Sequence, residues 1–360
     1  MDGLQYVSRI FLFINKLSMK NEIINTDCKT GIKDLPDNSI DCVITSPPYW
    51  ALRDYGCTGQ IGQEETPEEY IETLINLFNE IYRVLKDNGT CFINLGDTYA
   101  GSGSGTTKNA DIDKYIENSK QVYVMPNGSN KAAQYRKWRP IKDNANKGNS
   151  AGNRNGAGKV TTGWNKSLLM IPYRFAWAMI ENGWILRNVI NWRKPNQMPS
   201  SANDRFTVDF EPIFFFTKQP KYYFEQQFEP VSEVSIKRAE YGWKGKLMEN
   251  GSAAAGMKHI EKMGTRFCNA EKGRNMRTTW DINTQPFAKA HFAVYPEKLV
   301  ERMIKSGCPV NGLILDPFLG SGTTAIVARK LNRNFIGFEL NPDYVKIINE
   351  RIYDELGMFS

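Results

Sequence analysis

Near the C-terminal end lies a short apolar strand, a glycine-punctuated turn, a helix and a second strand closing on an acid. No other part of the sequence narrows the fold as far. Gly312-Leu313-Ile314-Leu315-Asp316 reads as a buried strand, Pro317-Phe318-Leu319-Gly320-Ser321-Gly322 as the turn and Thr323–Leu331 as the helix. Asn334-Phe335-Ile336-Gly337-Phe338-Glu339 is the second strand, and a last amphipathic helix carries Tyr344, Ile347, Ile348 and Ile352. Strand–helix–strand units of this kind belong to α/β folds with a mostly parallel sheet. Glycines let backbone approach a ligand closely, and the helix N-terminus beyond offers free N–H groups. The acid 23 residues after Asp316 suits a pair of ribose hydroxyls, which are hydrogen-bond donors. The turn reads DPFLGSGTT rather than GxGxxG and has no spare basic residue for phosphates. It therefore suits a nucleoside cofactor without a pyrophosphate, S-adenosylmethionine rather than a dinucleotide. The expected cofactor contacts are Asp316, Phe318, Gly320, Gly322, Thr323, Thr324 and Glu339.

The same alternation runs through the N-terminal half. Glu22–Asp27 and Ile40–Thr45 read as strands, the second stopped by Pro47-Pro48. Thr66-Pro67-Glu68-Glu69 opens a helix running to Leu85, with Thr as cap, Pro at the first helical position and acids in the first turn. Leu74, Leu77, Phe78, Ile81 and Leu85 follow helical spacing. Asp87-Asn88-Gly89 reads as a stop and turn before a strand at Thr90–Leu95. A helix over Ile171–Asn182 and apolar runs at Trp184–Trp192 and Glu211–Thr217 continue the pattern. Two stretches break it: a Gly/Asn/Ser/Lys-rich loop at 101–163, and a basic, Gly-punctuated module from Phe224 to Thr278.

The net charge of +7 is concentrated in these two stretches. Lys131–Lys166 holds nine Lys/Arg against one acid, and Val231–Trp280 holds ten against five, while the remainder is acidic. That is the pattern of a nucleic-acid contact surface. The six cysteines form no CxxC pair and only two histidines are present, so no metal site is expected. Nothing suggests a disulfide framework, and a reducing cytoplasm is the expected compartment. No apolar stretch approaches the roughly 18 residues of a membrane span. Residues 1–18, which precede a second methionine at position 19, read as an extension to which no function is assigned.

Thr45-Ser46-Pro47-Pro48-Tyr49-Trp50 follows a buried strand and so lies at the carboxyl end of the sheet, where open α/β sheets bind ligands. A nucleobase amino group attacking an activated methyl needs an in-line approach at about 3 Å. Its lone pair is delocalised into the ring. Two fixed acceptors for the amino hydrogens, Ser46 Oγ and the Pro47 carbonyl, would help localise it on nitrogen. The prolines hold that backbone stiffly, which is electrostatic preorganisation, and Tyr49 can stack on a base extruded from the helix. No strong base is required. Alone, the motif also fits a rigid turn with packed aromatics; the Gly-rich unit decides between the readings.

TSPPYW together with DPFLGSGTT resembles the DNA amino-methyltransferases of the permuted type, in which the catalytic motif precedes the cofactor motif. The resemblance runs from about Met19 to the end. It takes in Asp27, Arg83-Val84-Leu85-Lys86, Asn94-Leu95-Gly96-Asp97, Trp192–Asn196, Asp204-Arg205 and His291–Pro296. It implies a Rossmann-like S-adenosylmethionine-dependent methyltransferase fold, circularly permuted. The sheet would have seven strands, one of them antiparallel, with an inserted target-recognition region. It adds Asp27, Phe292 and Pro296 to the cofactor contacts and makes Ser46, Pro47, Pro48 and Tyr49 the catalytic set. Residues 19–223 would form the catalytic half, 224–278 the recognition region and 279–360 the cofactor half. Lys237, Arg238, Lys244, Lys246, Arg274 and Arg277 would contact phosphates or guanine edges. Arg136, Lys137 and Arg139 would do so from the 101–163 loop. Double-stranded DNA is the implied partner. A companion restriction endonuclease is compatible but not physically required, and the sequence leaves the oligomeric state open.

Ser-Pro-Pro-Tyr is more typical of enzymes acting on the cytosine N4 amine, whereas those acting on adenine N6 more often carry Asp in place of Ser. The geometry of the two amines is nearly the same, and both targets stay open. Cytosine carbon-5 chemistry needs a Pro-Cys nucleophile, which the chain lacks. A protein glutamine methyltransferase would carry its Pro-Pro-Tyr after Asn and after the cofactor motif. A non-catalytic DNA-binding relative would transfer no methyl at all.

Overall fold

A computed structural model of the protein describes residues 20–52, 55–100, 166–231, 273–285 and 294–357. The extension 1–18, the 101–163 loop with Arg136, Lys137 and Arg139, and Lys237, Arg238, Lys244, Lys246 and Phe292 lie outside these. In chain order the elements begin with β1 (Glu22–Asn25), α1 (Cys28–Gly31), β2 (Ile40–Thr45), α2 (Pro67–Val84) and β3 (Leu85–Asn94). They continue with α3 (Ile171–Glu181), β4 (Ile185–Arg193), β5 (Phe210–Thr217), β6 (Phe228–Glu229), β7 (Arg274–Asn275) and β8 (Thr279–Asp281). The last are α4 (Glu297–Gly307), β9 (Leu313–Asp316), α5 (Thr323–Lys330), β10 (Asn334–Glu339) and α6 (Pro342–Leu356).

One sheet organises them, in the order β1-β10-β9-β2-β3-β5-β4-β8. It has eight strands where seven are expected; the addition is the three-residue β8, which pairs parallel to β4 at the edge. Only β5 runs antiparallel to its neighbours, as the resemblance implies. The C-terminal β9 lies between β10 and the N-terminal β2, so the two ends of the chain share one sheet. Pairing of β1 with β10 (Asn25 opposite Glu339) extends the series in the order of an unpermuted fold.

Successive strand residues face opposite sides, and both sides are covered. Val43, Cys91, Ile93, Phe214, Phe216 and Leu315 pack into the core under α2 and α3. Cys42, Ile44, Phe92, Ile213, Phe215 and Ile314 pack into the core under α4, α5 and α6. Helix α2 starts where its sequence signal places it. Thr66 Oγ1 accepts from Glu69 N at 3.2 Å and the Glu69 carboxylate accepts from Thr66 N, a full capping box worth about 1 kcal/mol. Its Leu74, Leu77, Phe78 and Ile81 are buried.

Asp87-Asn88-Gly89 is not a stop. Strand β3 begins directly at Leu85, and these residues are spare backbone in its pairing, since Ile40 faces Leu85 while Cys42 faces Thr90. The α4 helix was not among the expected elements. Phe228–Glu229 pairs antiparallel with Arg274–Asn275, closing the chain around residues 232–272.

Candidate active site

The carboxyl ends of β1, β10, β9, β2, β3 and β4 and the start of β5 lie along one edge of the sheet. Asp316, Thr45, Asn94, Lys194, Glu211 and Glu339 end or begin these strands and meet there. The turn after β9 is built on two left-handed glycines, Gly320 at φ 56° and Gly322 at φ 83°. A Cβ at Gly322 would stand 2.6 Å from Ile348 of α6, whereas one at Gly320 would meet nothing nearer than 3.9 Å. The turn is therefore closed behind and open in front. Gly320 N donates to Glu339 Oε2 and Asn341 N to Oε1, both at 2.8 Å. The Leu340 backbone N–H also stabilises the carboxylate, which offers about four acceptor positions and so keeps room for a further donor. Burial pushes the Glu339 carboxyl up to about 7 against these backbone donors.

Asp316 is a hub. Its Oδ1 accepts from Thr45 Oγ1 at 2.8 Å and Phe318 N at 3.1 Å; its Oδ2 accepts from Thr324 Oγ1 at 2.6 Å and Tyr295 OH at 2.9 Å. These donors fill the acceptor positions of a carboxylate. Asp316, expected as a cofactor contact, ties the turn to the strand that carries Ser46. Burial raises its pKa, and the hydroxyls that donate to it oppose that rise. The Thr324 hydroxyl is likewise engaged, and Thr323 Oγ1 accepts from Arg351 at 3.3 Å. Arg351, buried on α6, also donates to Ser321 O at 2.8 Å and pairs with Glu355. It is a cation behind the turn already in use. Asp27 caps α1, taking Lys29 N at 3.0 Å, and Pro296 caps α4.

On the other side, Ser46 Oγ stands 3.5 Å from Asn94 Oδ1. With its proton turned to Asn94, its lone pairs are left to accept. Among the described residues no donor reaches the Pro47 carbonyl, while the Pro48 carbonyl accepts from Tyr70 OH at 2.7 Å. Tyr49 OH lies 2.8 Å from Glu211 Oε2 and 3.0 Å from Asn94 Oδ1. Burial, with Glu211 beside it, raises the phenol pKa well above its ordinary value, so it stays a donor. Lys194 Nζ pairs with Glu211 Oε1 at 2.5 Å and sits 4.4 Å from the Trp192 ring centre. A Cβ at Gly96 would lie 2.4 Å from the Tyr49 ring, so the missing side chain lets that ring rest on backbone.

A family model described as DNA methylase matches residues 40–350, nearly the whole of this fold. The chain belongs to the DNA methylase family. It is 34% identical over 333 residues to the type II methyltransferase M.SmaI of Serratia marcescens, covering 92% of this chain and 90% of that one. It is 33% identical over 329 residues to M.Cfr9I of Citrobacter freundii, covering 91% and 86%. Among solved structures, the PvuII DNA methyltransferase (cytosine-N4-specific) superposes with a TM-score of 0.55 at 17% identity over 94% of this chain and 95% of that one. The Thermus thermophilus protein TTHA0409, solved in complex with S-adenosyl-L-methionine, gives 0.51 at 19% over 94% and 96%. These two share the fold: a methyltransferase α/β sheet.

In this methylase the two motifs, far apart in sequence, meet through the Thr45–Asp316 hydrogen bond. Arg274 and Arg277, expected on DNA, both pair with Glu229 on the short ribbon, at 2.7 and 2.6 Å. Asp97 accepts from Ile171 N at 3.1 Å at the start of α3, Asp204 pairs with Lys166, and Arg205 lies over the Tyr99 ring. Sequence reasoning missed Glu211, Tyr70 and Arg351, and placed Tyr295 in the His291–Pro296 stretch without giving it a role. A lone acid at the head of the apolar run 210–217 was the one available signal for Glu211. Burial pushes the Cys28 thiol up to about 12 and raises those of Cys42, Cys91 and Cys308 well above the ordinary thiol range, so these four are not nucleophiles.

Proposed function

We propose that this methylase transfers a methyl group from S-adenosylmethionine to the exocyclic N4 amine of cytosine in double-stranded DNA, by direct in-line attack on an extruded base. The observation that carries the reading is the pair of acceptors at Ser46 and Pro47. They stand one and two residues beyond the threonine hydrogen-bonded to the cofactor turn. The residues at that turn fit the cofactor. Gly320 leaves open space, Glu339 keeps acceptor capacity for ribose hydroxyls, and Arg351, the buried cation behind the turn among the described residues, is spent on Ser321, Thr323 and Glu355. Phe318 and Pro296, with Asp27 by the adenine, complete the proposed contacts among the described residues.

S-adenosylmethionine bound there supplies a methyl group already activated on a sulfonium. Ser46 Oγ and the Pro47 carbonyl accept the two amino hydrogens and turn the nitrogen lone pair toward it. Tyr49, its ring against Gly96 and its hydroxyl between Glu211 and Asn94, holds the base plane. Transfer of that methyl to the held nitrogen would release the thioether S-adenosylhomocysteine, and the cationic amine would lose its proton to solvent, so no residue of the site needs to act as a strong base. The serine at position 46, rather than a carboxylate, supports cytosine as the target, and the likeness in fold to the PvuII enzyme agrees with it. Residues 19–223 and 279–360 act as one methyltransferase domain, and 224–278 reads the target site. The type II relatives make a companion restriction endonuclease a natural, separate partner.

The test is nucleoside mass spectrometry of DNA methylated by the purified protein. N4-methylcytosine is expected; N6-methyladenine would overturn the choice of base, and no methylated nucleoside would overturn the reading as a whole.

A further inference from the structure

The 194–209 loop joins β4 to β5 at the catalytic edge and is tied down on every side. At its root Lys194 N donates to Asp209 O at 2.7 Å, and Lys194 Nζ holds the Glu211 that binds Tyr49. Near its tip the Arg205 guanidinium lies 3.6 Å from the Tyr99 ring centre, and Asp204 pairs with Lys166 at 2.6 Å. On its flank Asn196 exchanges two hydrogen bonds with the Thr284 backbone, at 2.9 and 3.0 Å. Thr207 Oγ1 and Ser200 Oγ accept backbone N–H groups within it. The loop thus spans from the strand supporting Tyr49 to the segment that follows Asn94.

Lys194, Asp204 and Arg205 are engaged as above, and among polar residues such as Gln197 and Asn203 the loop also exposes large apolar side chains. Phe206 is 96% and Met198 81% exposed, with Val208 and Phe210 exposed beside them. Phe206 is the most exposed large apolar residue among those described. Single surface apolar residues are ordinary, but several together on one ordered element mark an interaction site.

We propose that this loop is a DNA-contacting rim, and that Phe206 and Met198 pack against the base step opened when the target base is extruded. The proposal rests on the methyltransferase reading above, which places duplex DNA over this edge. Extrusion leaves an orphan base and an unstacked step beside it. Apolar and aromatic side chains fill such steps, and a ring stacks on a base of any sequence. Phe206 and Met198 carry no charge, so the contact proposed for them falls on base faces rather than phosphates.

The test uses the full chain and a duplex carrying the site found by mapping methylated positions. Phe206→Ala is expected to weaken duplex affinity by roughly 5- to 100-fold, the scale for losing one stacked base. The slope of log affinity against log salt should stay unchanged, because no phosphate contact is lost. Phe206→Trp should restore affinity, Met198→Ala should act in the same direction, and calorimetric cofactor affinity should stay at the wild-type value. Unchanged duplex affinity in Phe206→Ala, or a shallower salt slope, would overturn the proposal. So would loss of a sedimenting dimer at constant DNA affinity, which would make the loop a self-association surface. Absence of methyl transfer from the wild-type protein to any DNA would instead remove the reading beneath it.

Discussion

A serine hydroxyl that turns its proton to Asn94 can present lone pairs to an amine without carrying charge. Ser46→Ala removes one of the two acceptors and touches no part of the cofactor turn. Methyl transfer should fall by about one to three decades, the scale for one preorganised hydrogen-bonding group, with cofactor affinity retained. Single-turnover transfer and calorimetry separate these two quantities, and full activity in the variant would refute the role of Ser46. Glu339 works through charge. Burial raises its carboxyl from the ordinary 4.5 to about 7, so from about pH 4.5 to 7 the folded protein holds a proton that the unfolded chain has released. Its contribution to stability therefore declines as pH rises through that window, by at most about 3 kcal/mol. Ribose hydroxyls donating to the ionised form pull the carboxyl back down. Cofactor affinity should consequently rise with pH toward a plateau above about 7, and binding near pH 6.5 should release a proton. Calorimetry in two buffers of different ionisation enthalpy would read that proton directly. Identical enthalpies in both, or a buffer dependence that survives in Glu339→Gln, would show that the carboxylate does not meet the ligand.

At the scale of elements, the turn between β9 and α5 separates two uses of glycine. Gly322 combines φ 83° with a missing Cβ that would press on Ile348, so Gly322→Ala forces either the turn or α6 to move. Overpacking of this kind costs about 1–3 kcal/mol, which thermal unfolding should register as a lowered midpoint. Gly320 also has φ above zero but faces open space. Gly320→Ala should therefore destabilise less and weaken cofactor binding more, and the reverse ranking would refute this division of roles. Such turns are legible in sequence because glycine and proline act locally. Thr66-Pro67 and the spacing of Leu74, Leu77 and Ile81 announced α2 for the same reason. The three-residue β8 was not legible: only Trp280 of it is buried, and its pairing depends on β4. Helix α4 carried a usable signal in Leu299, Val300, Met303 and Ile304, all buried at helical spacing. The Tyr49–Glu211 and Thr45–Asp316 contacts span 162 and 271 residues, and no local pattern encodes them. They follow from strand order and from the register that sets Asn94 opposite Ile213.

For the molecule as a whole, strand order makes the two ends of the chain one folding unit. β9 hydrogen-bonds to β2 on one side and β10 on the other, and among the described strands β1 pairs only with β10. Further ties cross the same seam. Asp41 Oδ2 accepts from Leu313 N at 2.9 Å, and Thr90 Oγ1 donates to Gly307 O at 2.8 Å. A piece ending at residue 231 would keep β2 without its inner neighbour and β1 without any partner. A piece starting at 273 would hold β9 and β10 with the apolar faces of α4, α5 and α6 but lack the rest of the sheet they cover. Neither piece alone should unfold cooperatively. Produced together, pieces 1–231 and 273–360 should reassemble, because β6 and β7 still pair and the seam is intact. The reassembled protein should bind S-adenosylmethionine, since the cofactor turn, Glu339 and Asp316 are all present. It should not methylate DNA at defined sites, because most of the proposed recognition region is gone. Cofactor calorimetry and sequencing of methylated positions on the same preparation distinguish the two expectations. Cooperative unfolding of the 273–360 piece alone would refute the single folding unit, and retained site-specific methylation would refute the assignment of target reading to 224–278.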